Sequence, residues 1–271
     1  MNKDSIHTFL KDFIDTDDSN IIPSGLTKNP HYAGKLMYDE PIAGFASAGD
    51  DFFESLKDNK AANVDLMLPK EWLPGAQTVI SVFLPFKEWM RAENRGGDWP
   101  SIGWLYGRIN GQVPMVRLVE ALASELRANG YEAVTPLTDP RMKVSMKPAI
   151  DSRPNFTSNW SERHVAFATG LGTFGISGGI ITQKGMAGRL VSIITSLYLE
   201  PTPRDYTEIF DYCILCGTCA KNCPVNAIDL ALKKKDHALC DSYLTKVKAM
   251  EEPFYGCGKC QCGVPCENNR P

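Results

Sequence analysis

Nine cysteines, all within the C-terminal quarter of the chain, constrain this protein more than any other feature. The sequence has 271 residues, and no cysteine precedes Cys213. The N-terminus carries no signal-peptide pattern, and no apolar stretch reaches the length of a membrane span. We therefore expect a cytoplasmic protein with no membrane partner, in a compartment that keeps thiols reduced. Thiols clustered in this way predict ligands of a metal centre rather than disulfides.

The first four cysteines follow the spacing C-x2-C-x2-C-x3-C-P, which begins at Cys213 and ends at Cys223 and Pro224. Three thiolates on one tight loop reach three irons of a single 4Fe–4S cube, and in two-cluster proteins the fourth cysteine binds the other cube. Pro224 fixes the backbone where the chain turns away. Zinc sites usually pair two C-x2-C hooks instead. The motif therefore predicts iron–sulfur clusters, and it requires a second set of thiols.

The remaining five cysteines supply that second set. We assign cluster one to Cys213, Cys216, Cys219 and Cys266. We assign cluster two to Cys223, Cys240, Cys257 and Cys260. Cys262 is left over, because one intervening residue separates it from Cys260 and such a close pair strains to serve two corners of one cube. Cys262 and Cys266 could exchange roles. Each cluster thus takes ligands from both halves of the module, because Cys223 joins the later cysteines and Cys266 joins the earlier ones. Removing Cys223 or Cys266 is therefore expected to damage both clusters.

The residues before the cysteines predict an α/β or α+β domain. The apolar, β-branched stretch 76–86 reads as a buried strand, and residues 178–184 and 189–199 as further strands. Residues 114–130 read as an amphipathic helix that starts near Pro114 and stops near Gly130. Residues 161–170 read as another helix, with Ser161 as its N-cap. Alternating elements predict a large domain over 1–204, followed by a ferredoxin-like module over 205–271.

A glycine-rich segment contains Gly170, Gly172 and Gly175 in the spacing G-x-G-x-x-G. A dinucleotide site would need a strand before these glycines and a helix after them, and here the order is reversed. Glycine has no Cβ, so the segment can instead let the backbone approach a large flat ligand. A tight turn without a ligand is the alternative.

Several motifs together resemble epoxyqueuosine reductase, a relative of the reductive dehalogenases. The similar segments are the cysteine order and residues 73–82, 106–108, 150–154, 162–163, 168–172, 240–245 and 256–261. The resemblance extends over roughly residues 40–266. Five residues follow Cys266, so we expect a chain without the C-terminal helical-repeat extension that many epoxyqueuosine reductases carry.

The resemblance implies a nitroreductase-like large domain that holds a cobamide (cobalamin) beside the two clusters. Electrons would pass through the clusters to cobalt, which would reduce a small organic substrate. By position, Asp151 and Tyr106 would be catalytic proton donors. Gly170, Gly172, Gly175 and Arg163 would bind the cofactor. Read without the resemblance, Asp151 is a turn former and Tyr106 a packed aromatic residue.

Charge and length leave the substrate and partners open. The net charge of −3 gives no sign of a nucleic-acid footprint. The missing extension puts a tRNA substrate in question without excluding it. We expect a low-potential electron donor such as ferredoxin or flavodoxin. The alternatives to a cobamide reductase are an electron-transfer or activator protein that reduces a partner's cofactor, and an oxidoreductase that holds flavin or nicotinamide in the large domain.

Overall fold

The computed structural model describes residues 1–26, 29–58, 66–145 and 157–271. Asp151 lies outside these ranges. The α-helices are α1 (Lys3–Thr16), α2 (Asp51–Asp58), α3 (Pro69–Trp72), α4 (Glu88–Glu93), α5 (Ile102–Ile109), α6 (Gln112–Ala128), α7 (Glu162–Ala168), α8 (Thr218–Lys221) and α9 (His237–Glu251). The strands are β1 (Ile42–Ser47), β2 (Thr78–Pro85), β3 (Ala133–Val134), β4 (Val144–Ser145), β5 (Thr157–Ser158), β6 (Gly172–Phe174), β7 (Ile180–Thr182), β8 (Gly188–Thr195), β9 (Ile228–Asp229) and β10 (Lys234–Lys235).

A four-stranded antiparallel sheet in the order β1-β2-β8-β3 forms the centre of the large domain. Every residue of β2 is buried. Helices cover both faces of the sheet, so β2 has no solvent side, and this explains why its sequence is mostly apolar and does not alternate with polar residues. The predicted strand over 76–86 is confirmed as β2, and those over 178–184 and 189–199 as the shorter β7 and β8.

Helix α6 lies against one face of the sheet. Its buried face includes Met115, Leu118, Val119, Leu122 and Leu126, at helical spacing. The helix starts at Gln112, which leaves the proline at position 114 in the first turn, where a missing N–H costs nothing. The predicted helix and its apolar face are confirmed.

Helix α7 covers the opposite face and contacts β2 and β8. Ser161 stands at the N-cap position as predicted, but its side chain makes no capping hydrogen bond. Its hydroxyl instead lies 2.7 Å from Nδ1 of His164. The chain leaves α7 through Gly170 and enters the β6–β7 hairpin, so a strand rather than a helix follows the glycine-rich segment.

The C-terminal module consists of short elements around the cysteines, with α9 as its longest helix. Asp236 caps α9 by accepting a hydrogen bond of 3.0 Å from the Leu239 N–H. Tyr243 and Val247 on this helix pack against Leu105 of the large domain. The last residues return to the sheet region, where the backbone N–H of Ala187 donates to the Glu267 carbonyl at 3.1 Å. In the described residues, no helix is long and apolar enough to cross a membrane.

Candidate redox site

Four cysteines line a small cavity under the β6–β7 hairpin. They are Cys213, Cys216, Cys219 and Cys266. Gly175 and Val264 complete the wall. Within this group, Cys219 is buried and Cys216 is exposed. The chain brings the last cysteine of the sequence onto the first loop of the motif, in the grouping that the spacing predicts for cluster one.

Four other cysteines line a larger cavity between the sheet and the module. They are Cys223, Cys240, Cys257 and Cys260. This cavity has a volume of about 500 Å³. The grouping is the one predicted for cluster two. Because an iron–sulfur cluster here would occupy part of this space, the remaining volume lies directly beside it.

The thiols within each group act on one another electrostatically. Burial, with a smaller contribution from the neighbouring Cys260, Cys240 and Cys223, raises the pKa of Cys257 to about 12. Burial likewise raises the pKa of Cys266 to about 12, with contributions from the thiols of cluster one. Such thiols stay protonated without a metal, and binding of iron must therefore displace their protons.

Cys262 lies apart from both groups. Its side chain is buried, and Asn94 Nδ2 is 3.6 Å from its sulfur. Among the described residues, it lines neither cavity. Burial raises its pKa to about 12. The surroundings are those of a packed thiol, and the assignment of Cys266 rather than Cys262 as the eighth ligand stays a prediction.

Glycines shape the loops that present the thiols. Gly258, between two cysteines of cluster two, has φ +67°, and a Cβ there would lie 1.9 Å from the Trp104 ring. Gly217 also has positive φ, at +74°. Only glycine adopts these conformations without strain. Trp104 thus packs directly against the loop between Cys257 and Cys260, and it also lines the larger cavity.

Three arginines line the larger cavity, the one that Cys223, Cys240, Cys257 and Cys260 also line. They are Arg108, Arg163 and Arg189. Arg163 is exposed and donates a hydrogen bond of 2.7 Å to the Gly178 carbonyl. Arg189 donates to the Arg108 carbonyl at 2.8 Å and to Gln112 Oε1 at 2.8 Å. Of these, the sequence predicted Arg163 as a cofactor-binding residue. It did not single out Arg189, because that residue lies in strand β8 and belongs to no motif.

Glu162 also lines this cavity. Both of its carboxylate oxygens are buried, and neither makes a hydrogen bond within the described part of the chain. Burial raises the pKa of Glu162 to about 7. Glu162 is therefore a buried carboxyl group that is partly protonated near pH 7. No sequence motif predicts this state.

The other predicted site residues lie elsewhere. The Tyr106 ring is buried in the core, where its centroid is 5.4 Å from that of Tyr32 and 5.0 Å from that of Phe254. A Cβ on Gly172 would lie 1.9 Å from the Ile181 carbonyl, and one on Gly170 would lie 2.9 Å from Thr202. Close packing of the chain on itself accounts for both glycines. Their role in binding a cofactor stays a prediction, as does that of Asp151.

The two cysteine groups line separate cavities, and the larger cavity, as the described residues form it, is small beside a cobamide. Cavities of roughly 300–1,000 Å³ hold drug-sized ligands, and a cobamide is much larger than these. Cluster two would share the cavity of about 500 Å³. Two of the three glycines expected along a corrin are packed against protein. Cobamide binding stays a prediction, and no chemical step is derived through it.

Comparison with known proteins identifies the class of the cysteine module. Residues 206–229 match the 4Fe-4S binding domain. The tetrachloroethene reductive dehalogenase of Desulfitobacterium hafniense is 30% identical over 110 residues, which are 38% of this chain and 20% of the dehalogenase. The matched region is thus about a fifth of the relative's length.

Two solved structures share the fold of this chain. Epoxyqueuosine reductase from Streptococcus thermophilus aligns with a TM-score of 0.50 and 20% identity, over 85% of this chain and 64% of that one. A catabolic reductive dehalogenase, in complex with 3-bromo-4-hydroxybenzoic acid, aligns with a TM-score of 0.55 and 16% identity, over 84% of this chain and 30% of that one. The resemblance inferred from the motifs is therefore confirmed at the level of the fold.

Proposed function

We propose that this protein is an iron–sulfur oxidoreductase that passes electrons through two 4Fe–4S clusters to an organic acceptor in the cavity beside cluster two. The supporting observation is that four cysteines of one group line this cavity, together with side chains of the large domain. An acceptor bound there would lie against the cluster on one side and against the sheet on the other. We also propose that the large domain has a nitroreductase-like fold.

Electrons would enter at cluster one. Cys216 is exposed, and its neighbour Ile214 is 57% exposed, so a donor protein can approach this edge. The thiols of Cys219 and Cys260, one from each group, are close enough to act on each other electrostatically. Transfer from the surface to the cavity would therefore need no movement of the module. A low-potential ferredoxin or flavodoxin is the donor that we propose.

A cobamide is the acceptor that the resemblance to the reductive dehalogenases implies. The limited volume of the cavity favours a second candidate, in which the chain is an electron-transfer or activator protein that reduces a partner's cofactor. In that case a cobamide, if involved, would belong to the partner. Under the first candidate the cobamide would reduce a small organic substrate, whereas under the second the chain has no substrate of its own.

Anaerobic reconstitution tests the shared part of both candidates. The full-length protein should bind about eight irons per chain and show the visible and electron paramagnetic resonance signals of 4Fe–4S clusters. A Cys223→Ala variant should lose iron from both clusters, because this residue sits in the first motif but lies with the second group. Zinc in place of iron, or markedly fewer than about eight irons per chain, would overturn the proposal.

Addition of cobalamin separates the two candidates. The reconstituted protein is mixed with cobalamin and passed through a desalting column. A corrin absorption band that elutes with the protein would support a bound cobamide acceptor. Absence of the band, with the clusters intact, would leave the electron-transfer candidate. The signals of the clusters serve as the internal control for the fold.

A further inference from the structure

The β9–β10 hairpin places exposed apolar side chains beside the loop that carries the first three cysteines. Strands β9 and β10 pair antiparallel, and residues 230–233 form the turn between them. Leu230 and Leu232 in this turn are both exposed, Leu232 by 61%. A Cβ on Gly217 would lie 3.2 Å from Cδ2 of Leu230, so the turn packs directly against the thiol loop. Because Gly217 follows the exposed Cys216, the turn lies at the edge where we propose that electrons enter.

Ile214 extends this apolar surface beyond the hairpin. Its side chain is exposed, and it lines the same small cavity as Cys216 and Gly217. Single exposed apolar side chains are normal on a protein surface, whereas a group of them marks a site that a partner covers. We call Ile214, Leu230 and Leu232 the apolar patch. Its position beside an exposed thiol of cluster one links the patch to electron transfer.

Three exposed lysines lie close to the apolar patch. Lys233 and Lys234 directly follow Leu232 in the hairpin. Lys221 is the last residue of helix α8, which starts directly after Gly217. Four helical residues rise about 6 Å in total, so Lys221 stays near the thiol loop. The lysines therefore place positive charge at the border of the patch.

The acidic side chains nearby leave the hairpin side of the patch positive. The carboxylate of Asp229 accepts a hydrogen bond of 2.9 Å from the Leu232 N–H, within the hairpin itself. Glu208 and Asp211 precede Ile214 in the chain, on the side away from the hairpin. The hairpin and helix α8 together contain more lysines than acidic residues, although the net charge of the whole chain is −3. Such a surface complements a partner with an acidic face.

We propose that the apolar patch and its three lysines form the docking surface for a small acidic electron-carrier protein. This inference rests on the proposed function, because the carrier would be the reductant of cluster one. One electron would pass from the reduced carrier to the oxidised cluster at the Cys216 edge, and no bond would form or break. The lysines would steer the encounter, and the apolar side chains would be buried in the complex.

The small size of the apolar patch favours a transient partner. Complexes of electron-transfer proteins lie at the small end of protein interfaces and bury less than about 1,200 Å². A few apolar side chains are enough for such a contact, whereas an obligate dimer buries a larger and more apolar face. A permanent occupant would also cover Cys216 and shield cluster one from its reductant. A carrier that binds and leaves keeps this edge available for the next electron.

Stopped-flow reduction of the anaerobically reconstituted full-length protein tests the inference. The probes are two acidic carriers, reduced ferredoxin and flavodoxin hydroquinone, and the control reductant is photoreduced 5-deazariboflavin, a small neutral mediator. With at least one carrier, we expect the second-order rate constant to fall about tenfold or more between 0.01 M and 1 M salt, because salt screens steering. Reduction by the mediator but by neither carrier, or carrier rates independent of salt, would overturn the inference. Clusters that are absent or not reduced by the mediator would contradict the proposed function instead.

Lysine variants locate the charged part of the surface. The double variant Lys233→Gln, Lys234→Gln should slow reduction by the carrier about tenfold at low salt and only slightly at 1 M salt. The matched control is Lys11→Gln, Lys57→Gln, which removes two exposed lysines of the large domain that pair with Asp15 and Glu71. Reduction by the neutral mediator should be the same in both double variants. Equal carrier rates in the two would place the docking surface elsewhere.

A leucine variant tests the apolar part. Leu232→Ser should slow reduction by the carrier about tenfold at subsaturating concentration and at both salt concentrations, since a buried leucine contributes about 1.5–3 kcal/mol. Val113→Ser is the control, because Val113 is 54% exposed on helix α6 of the large domain. Iron content and reduction by the mediator on the same samples confirm intact clusters. A carrier rate that Leu232→Ser leaves unchanged would overturn the inference.

Two other occupants of the apolar patch would give different results. If a second copy of the chain covered it, the protein would elute as a dimer and Leu232→Ser as a monomer. If a lipid surface covered it, the protein would sediment with vesicles of phosphatidylglycerol and Leu232→Ser would not. Either result, together with carrier rates that the lysine variants leave unchanged, would replace the electron carrier as the occupant.

Discussion

The carboxylate of Glu267 accepts a hydrogen bond of 3.1 Å from Nε of Arg95, and this contact ties the end of the chain to the large domain. Glu267 is only 4% exposed and also accepts from the Gly263 N–H at 2.5 Å. Arg91 lies 3.4 Å from the same carboxylate. Since Glu267 directly follows Cys266, the ion pair holds the last proposed ligand of cluster one in position.

Replacement of Glu267 by alanine should therefore destabilise the protein and cluster one together. Loss of one partner from a buried ion pair costs about 3–5 kcal/mol. We expect a lower midpoint in thermal unfolding of the reconstituted protein and faster loss of iron. Glu40→Ala is the control, because Glu40 forms an exposed pair with Lys184 and exposed pairs contribute about 0–1 kcal/mol. Equal effects of the two substitutions would contradict this role of Glu267.

Cys262 and Cys266 provide a direct test of the eighth ligand. Cys262→Ala should retain about eight irons per chain and lose only packing, because its thiol is buried beside Asn94 outside both cavities. Cys266→Ala should lose the iron of cluster one, and by the crossed wiring should weaken cluster two. Iron analysis and the visible spectrum measure both outcomes. Iron loss in the Cys262 variant alone would reverse the assignment.

Glu162 should make stability depend on pH. Its pKa is about 7 in the folded protein, against an ordinary value of 4.5. Below pH 4.5 the group is protonated in both states and costs nothing. Between pH 4.5 and 7 the unfolded state loses its proton first, so stability falls, by roughly 3 kcal/mol in full. Above pH 7 the penalty is constant.

The Glu162→Gln variant removes this titration. We expect its thermal midpoint to exceed that of the parent protein at pH 8, and the difference to shrink towards pH 5. Thermal unfolding across this range measures the effect, and Glu40→Gln serves as the exposed control. A difference that does not change with pH would show that Glu162 keeps an ordinary pKa in the folded state.

Gly172 and Gly175 distinguish packing from cofactor binding. A Cβ on Gly172 would meet the backbone of Ile181, whereas a Cβ on Gly175 would lie 3.4 Å from the side chain of that residue. Without any corrinoid present, Gly172→Ala should lower the free energy of unfolding by at least about 1–3 kcal/mol. Gly175→Ala should leave it nearly unchanged, and thermal unfolding measures both variants. If both variants fold normally and lose corrinoid binding, the glycines line a cofactor instead.

The amino-acid sequence determined the features that depend on local spacing. The interval between Cys213 and Cys223 sets which thiols one loop can present, and the apolar run of β2 and the helical periodicity of α6 identify those elements. These patterns follow from chain geometry over a few residues, so they can be interpreted without knowing what packs against them.

Only the tertiary structure determined which charged and buried groups line the larger cavity. Arg108 and Arg189 are far apart in sequence, and only the pairing of β8 beside the helices brings their charges together. Burial of Glu162, and the placement of Tyr106 in the core, depend equally on distant segments. Electrostatic energy and burial are set by everything that surrounds a group in space. For that reason the order of residues predicts which cysteines would bind the clusters, whereas the molecule that the cavity would bind depends on the folded structure.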